Sequence, residues 1–161
     1  MKKYIFILII CLIVNYGYSQ KGISFGASSG FTTVDKEYGI NGNFFIGYNT
    51  SKNIIIGLDG LFNEVSENNI IIKTNILMPY VEGGIPEKGM IKEKLYFSGI
   101  IGLGFIEQKA LNFEENSGTI FLGTKLNYKL SQNFIVGIKT GYYFSKLDNV
   151  IIGNLFLNYK I

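Results

Sequence analysis

From residue 22 onward the chain alternates apolar and polar positions in short runs separated by turn-forming residues. Eight segments stand out: 22–31, 39–48, 54–63, 70–80, 95–105, 119–129, 134–145 and 150–161. Successive side chains of a strand point to opposite faces, so this period of two predicts strands. Each run is about ten residues, the length a tilted strand needs to cross a bilayer. The intervening stretches, 32–38, 49–53, 64–69, 81–94, 107–117, 130–133 and 146–149, are polar and read as connections. The pattern predicts an all-β chain: an antiparallel up-and-down β-barrel of eight strands, with no helix past the leader.

One parity of every segment is free of charge. It carries residues such as Ile23, Phe25, Ile46, Leu58, Ile76, Met78, Ile101, Leu122, Ile138 and Leu157. The in-strand charges Asp59, Lys73, Lys125, Lys129, Lys139 and Lys160 fall on the other parity, among Gly, Ser and Asn. The clean parity ends in aromatics that sort by strand direction. The odd segments finish in Phe31, Phe62, Phe105 and Phe144; the even ones finish at or near Tyr48, Tyr80, Tyr128 and Tyr159. With strands running alternately up and down, these eight form two girdles at the edges of an apolar band, where membrane interfaces favour aromatics. The apolar face is therefore expected to meet lipid. The polar face is expected to fill a narrow interior that only just holds side chains. A buried charge needs a partner, so Asp59, Lys73, Lys125 and Lys139 are expected to form a structural polar cluster, with Asp59 pairing to Lys73.

Composition sharpens this reading. The chain has 161 residues, 20 of them Gly, 15% aromatic, with two Pro and neither His nor Trp. The formal charge is +3, from 15 Lys against 12 acids. Lys2 and Lys3 belong to an N-terminal segment that reads as a secretory signal: a basic start, an apolar run over 4–14, and small residues Gly17 and Ser19 before a cleavage point. Residues 1–19 are thus expected to be removed, leaving residues 20–161 as one domain. The apolar run is too short for a membrane-spanning helix. Cys11, the only cysteine, lies inside it and lacks the small preceding residue that lipidation needs. The mature chain keeps no thiol for a disulfide, a nucleophile or a metal site. No run of like charge points to nucleic acid.

Export and alternation are also compatible with a soluble lipocalin-like barrel that binds a small apolar ligand. Such a barrel would show water a face rich in Lys and Glu, and here that parity is mostly Gly, Ser and Asn. A narrow passive channel, conducting anions past the interior lysines, is the other alternative.

The leader ending in Tyr18-Ser19-Gln20, the repeated Gly-aromatic strands and the final segment 153–161 (GNLFLNYKI) together resemble the small outer-membrane β-barrel families of Gram-negative, particularly Bacteroidetes-type, bacteria. The resemblance implies a transmembrane barrel in the cell outer membrane, with both termini at the periplasmic side. It implies outer-membrane lipid and the barrel-assembly machinery as partners, and an extracellular partner that the sequence does not identify. It also implies a non-enzymatic structural or surface-interaction role. Barrel enzymes of the outer membrane resemble one another in using a His, and this chain has none. Adjacent acids such as Glu114 and Glu115 read as a solvated turn, and the Gly99–Gly104 run opens no helix that could cradle phosphate. No catalytic residue, cofactor site or metal site is expected.

Overall fold

The computed structural model describes residues 22–34, 37–51, 54–67, 70–84, 94–111 and 113–161. The signal peptide expected over 1–19, with Cys11, lies outside the described residues. The described chain is all β: β1 (Gly22–Val34), β2 (Glu37–Ser51), β3 (Ile54–Glu67), β4 (Ile70–Gly84), β5 (Leu95–Ala110), β6 (Phe113–Lys129), β7 (Phe134–Ser145) and β8 (Val150–Lys160). Each strand pairs antiparallel with the next, and β8 returns to β1 to close an eight-stranded barrel. Closure leaves no sheet edge within the band of alternating residues.

Several strands outrun the apolar alternation. Stretches 32–38 and 107–117, expected as connections, are mostly strand. The pairs Val34↔Glu37, Glu67↔Ile70 and Ala110↔Phe113 close three hairpins at one end. Alternation marks only the part of a strand that has one oily face, whereas the backbone ladder can continue into water with polar side chains on both faces. From Leu95 to Phe105 the oily part of β5 is about 33 Å long, or about 25 Å along the axis at a tilt of about 40°. That matches the apolar thickness expected of an outer-membrane barrel.

The outer face carries Phe25, Phe31, Ile40, Phe44, Ile46, Leu58, Phe62, Ile101, Leu103, Phe105, Ile120, Leu122, Ile138, Phe144, Leu155 and Leu157, all substantially exposed. Its mid-band polar groups are few, and Thr124 and Thr140 satisfy each other across the ladder at 3.3 Å. Strand β4 corrects the expectation of its faces. Thr74, Ile76, Met78 and Tyr80 point inward and are buried, while Lys73, Leu77 and Val81 point outward. Both parities of β4 are apolar over much of its length, so polarity there was a poor guide. Register decides the matter: Met78 sits opposite Asp59 and Ile76 opposite Leu61, and facing residues of adjacent strands share a side.

Inside, bulky and small residues alternate between neighbouring strands. An added side-chain carbon at Gly123 or Gly141 would collide with the Phe121 ring; at Gly26 with Phe45; at Gly57 with Tyr80; at Gly102 with Met78. One end of the lumen is closed by buried Val34, Val65, Ile106 and Val150, against which Leu147 packs. Gly141→Ile is expected to destabilise the barrel by about 2 kcal/mol or more, because Phe121 has nowhere to retreat. A lowered urea midpoint for the loss of the compact gel band would check it.

Candidate functional site

Two ion pairs cross the lumen. Asp59 on β3 meets Lys139 on β7, and both are buried. In a ring of eight, β3 and β7 lie opposite each other, so this pair spans the interior. Asn43 Nδ2 donates to the other Asp59 oxygen at 2.7 Å, and Lys139 Nζ lies 5.3 Å from the Phe121 ring centre. The amide of Asn154 donates to Asn41 Oδ1 at 2.6 Å and to Ser28 Oγ at 3.0 Å, and Ser28 Oγ donates to Asn43 Oδ1. These bonds tie β1, β2, β3, β7 and β8 into one network.

The second pair joins Lys125 on β6 to Glu82 on β4 at 2.6 Å. Ser98 Oγ donates to Glu82 at 2.7 Å, and Asn127 donates to Ser98 at 3.1 Å. The Lys125 ammonium lies 4.6 Å from the Phe45 ring centre and 5.3 Å from that of Phe156. Lys125 and Lys139 face each other across the β6–β7 ladder. Their like charges are kept compatible by a separate carboxylate for each.

Asp59, Lys125 and Lys139 are thus brought together in the lumen, and Lys73 is not. It lies on the outer face beyond Phe62 and pairs with Glu64 at 3.1 Å, with both side chains exposed. The expected Asp59–Lys73 pair is corrected to Asp59–Lys139. Glu82 was missed because 81–94 read as a connection. Carrying the alternation of β4 two residues past Tyr80 would have found it, and would have balanced two lysines with two acids. Lys73→Ala is expected to change stability by no more than about 0.5 kcal/mol, since exposed ion pairs contribute little.

The aromatics expected as girdles divide similarly. Phe31, Phe62, Phe105 and Phe144 face outward at one end of the band; Tyr48, Tyr128 and Tyr159 lie on the outer face at the other. Tyr80 is buried in the lumen, which removes it from the set. Phe25 and Phe134 were not assigned to a girdle; they stack beside Tyr159 at 5.4 and 4.8 Å.

Beyond three of the four ring residues the next outward position is charged: Glu64 follows Phe62, Glu107 follows Phe105 and Lys146 follows Phe144, while Thr33 follows Phe31. Lys109 bridges Glu107 at 3.1 Å and Glu114 at 3.4 Å. Asn75 donates to Glu107 at 3.1 Å. That bond, with the Lys109 ammonium, holds the exposed Glu107 carboxyl below its ordinary range. The arrangement gives a filled, cross-braced interior and a rim beyond the apolar band that mixes these charges with exposed Tyr38, Ile71, Leu111 and Phe113. Among the described residues no group of three His, Cys, Asp or Glu side chains could hold a metal.

No family model and no curated protein matches the sequence. Solved structures do match. The attachment invasion locus protein Ail of Yersinia pestis, in complex with the heparin analogue sucrose octasulfate, superposes with a TM-score of 0.57 at 16% identity over 88% of this chain and 97% of that one. Neisserial surface protein A gives 0.61 at 11% identity over 89% and 98%. The N-terminal β-barrel domain of Pseudomonas aeruginosa OprF gives 0.56 at 13% over 88% and 100%. The chain therefore has the fold of the small outer-membrane β-barrels.

Proposed function

We propose that the protein is a non-enzymatic integral barrel of the bacterial outer membrane, with a blocked lumen and a structural or surface-interaction role at its projecting rim. The observation that carries this is the outer face. An oily belt of about 25 Å ends in a ring of Phe, and three of its four members are followed by a charge at the next outward position. Water-soluble barrels keep such rows inside, so a soluble lipocalin-like binder does not fit. The ion pairs, the rings over glycines and the Val cap oppose the narrow-channel reading. In planar bilayers the purified protein is expected to show no discrete conductance steps.

The leader over 1–19 supports export, and the pattern of 153–161 supports recognition by the barrel-assembly machinery and membership of a Bacteroidetes-type family. Both termini then lie in the periplasm, and the hairpins closed by Val34↔Glu37, Glu67↔Ile70 and Ala110↔Phe113 face outside the cell. A sulfated glycan is a poor candidate partner for that rim. Its β3–β6 part presents Glu64, Glu107, Glu114 and Glu115 against Lys73 and Lys109 among the described side chains. Four acids against two lysines make it net negative and repel polyanions.

Fractionation tests the reading. The protein is expected in the outer-membrane fraction, extractable only with detergent, and running as a compact band until heated. Recovery in a detergent-free periplasmic extract would overturn it.

A further inference from the structure

The geometry points to a docking edge for an extended, basic segment of a partner polypeptide along β6, at residues 113–118. This rests on the surface-interaction reading above and names the chemistry of the partner.

The β5–β6 hairpin rises past its neighbour on one side only. Its β5 strand is backed by β4 up to the pair Lys73↔Lys109. Its β6 strand is backed by β7 only up to Thr119↔Ser145. The cause lies in the β7–β8 connection. After Ser145 the chain turns, with Leu147 N–H donating to Ser145 Oγ at 2.9 Å. Leu147 then packs on the core, and Asp148 accepts a bond from Gln108 at 2.7 Å. The connection is thus drawn over the lumen instead of along β6. Among the described residues no strand pairs with 113–118 on that side.

The ladder fixes which groups face out. Lys129 N–H donates to Lys94 across to β5, and Leu130 N–H donates to Phe134 across to β7. Odd residues of β6 therefore bond to β5 and even ones point toward β7, with no register shift along β5–β6. Glu114 and Asn116 consequently offer their N–H and C=O groups to an incoming strand, and Gly118 its N–H, its C=O already accepting from Ser117 Oγ at 3.2 Å. All three are exposed, and at the foot of the edge, level with the Phe ring, lies a groove of about 500 Å³ lined by Leu103, Gly118, Ile120, Phe144 and Lys146.

Charge selects the occupant. Glu115 lies on the lumen side of the edge and Glu114 on the outer side, where Lys109 bridges one of its oxygens at 3.4 Å, so a strand with Lys or Arg on alternate faces meets the whole Glu115 carboxylate on one face and the second Glu114 oxygen on the other. A second copy pairing edge to edge would set these glutamates against their equivalents, and like charges across a ladder are destabilising. Acids on an edge are one way natural proteins discourage self-pairing. Strand addition, in which backbone bonds supply affinity and side chains specificity, is an established mode of peptide capture.

The test uses the detergent-purified barrel and three fluorescein-labelled ten-residue peptides: alternating lysine and threonine, alternating lysine and proline, and alternating glutamate and threonine. Fluorescence anisotropy is expected to show the lysine–threonine peptide binding at least about tenfold tighter than either of the others, because proline keeps the charge but loses the ladder. Asn116→Pro removes one free-edge N–H and leaves the bonds to β5. It is expected to weaken the lysine–threonine peptide by about tenfold with the compact gel band retained. Glu114→Gln with Glu115→Gln is expected to weaken it several-fold, with a reduced salt dependence. Equal binding of the proline peptide, or no effect of Asn116→Pro, would overturn the inference. So would a detergent-solubilised dimer that Asn116→Pro dissociates, since the occupant would then be a second copy. Labelling of Ser117→Cys on intact cells by a membrane-impermeant maleimide separates the two readings. Labelled cells without peptide binding remove the docking edge and keep the surface role, whereas unlabelled cells remove the surface role itself.

Discussion

Lys139→Met is expected to cost the barrel about 3–5 kcal/mol, the scale of breaking a buried ion pair by removing one partner. The substitution leaves the Asp59 carboxylate buried in the lumen with the Asn43 amide, at 2.7 Å, as its remaining donor. Asp59 is 4% exposed and Lys139 1%, so water is poorly placed to substitute for the ammonium. Removing both charges together, as in Asp59→Asn with Lys139→Met, is expected to recover most of the loss. A buried pair replaced whole leaves no uncompensated ion. Urea titration of the compact-to-extended gel shift measures both variants. If the double variant were as unstable as the single one, the pair would be contributing by shape and not by charge compensation. The contrast with Lys73→Ala is instructive: the same residue type, outside the band and in water, is worth almost nothing.

Ile101→Arg places a charge near the middle of the outer belt and is expected to cost about 2–4 kcal/mol in a bilayer. Ile101 is 53% exposed and faces away from the lumen, so in a water-soluble barrel the substitution would be tolerated with little penalty. Folding into lipid vesicles followed by urea titration reads the difference. An arginine at Asn116, beyond the Phe ring, serves as the control for added charge as such, and is expected to stay within about 0.5 kcal/mol of the parent. Full tolerance of Ile101→Arg in lipid would mean that the oily rows do not face the bilayer.

How far these effects could be foreseen differs between the two faces. The outer face was readable almost strand by strand, because lipid imposes one simple condition, the exclusion of charge, on every second residue. Seven strands obeyed it visibly. In β4, Ile70, Ile72, Ile76 and Met78 looked like the oily row because Lys73 and Asn75 marred the other parity. Lys73 lies where the strand has already left the band and Asn75 sits at its edge opposite Phe62, so the condition is relaxed for both. The interior was harder to read. Its residues answer to partners on other strands, and Asp59 and Lys139 are 80 positions apart in the chain.

The amino-acid order alone determined that there would be eight strands, which row of seven of them would be oily, and where the Phe ring would end the belt. These follow from periodicity and from the chemistry of one solvent. Only the closed barrel decided that Asp59 would meet Lys139, that Glu82 would turn inward to Lys125, that Tyr80 would leave the girdle, and that β6 would stand past its neighbour with an open edge. Those outcomes depend on register and on which strands face each other across the ring, and register becomes definite only when all eight strands have paired.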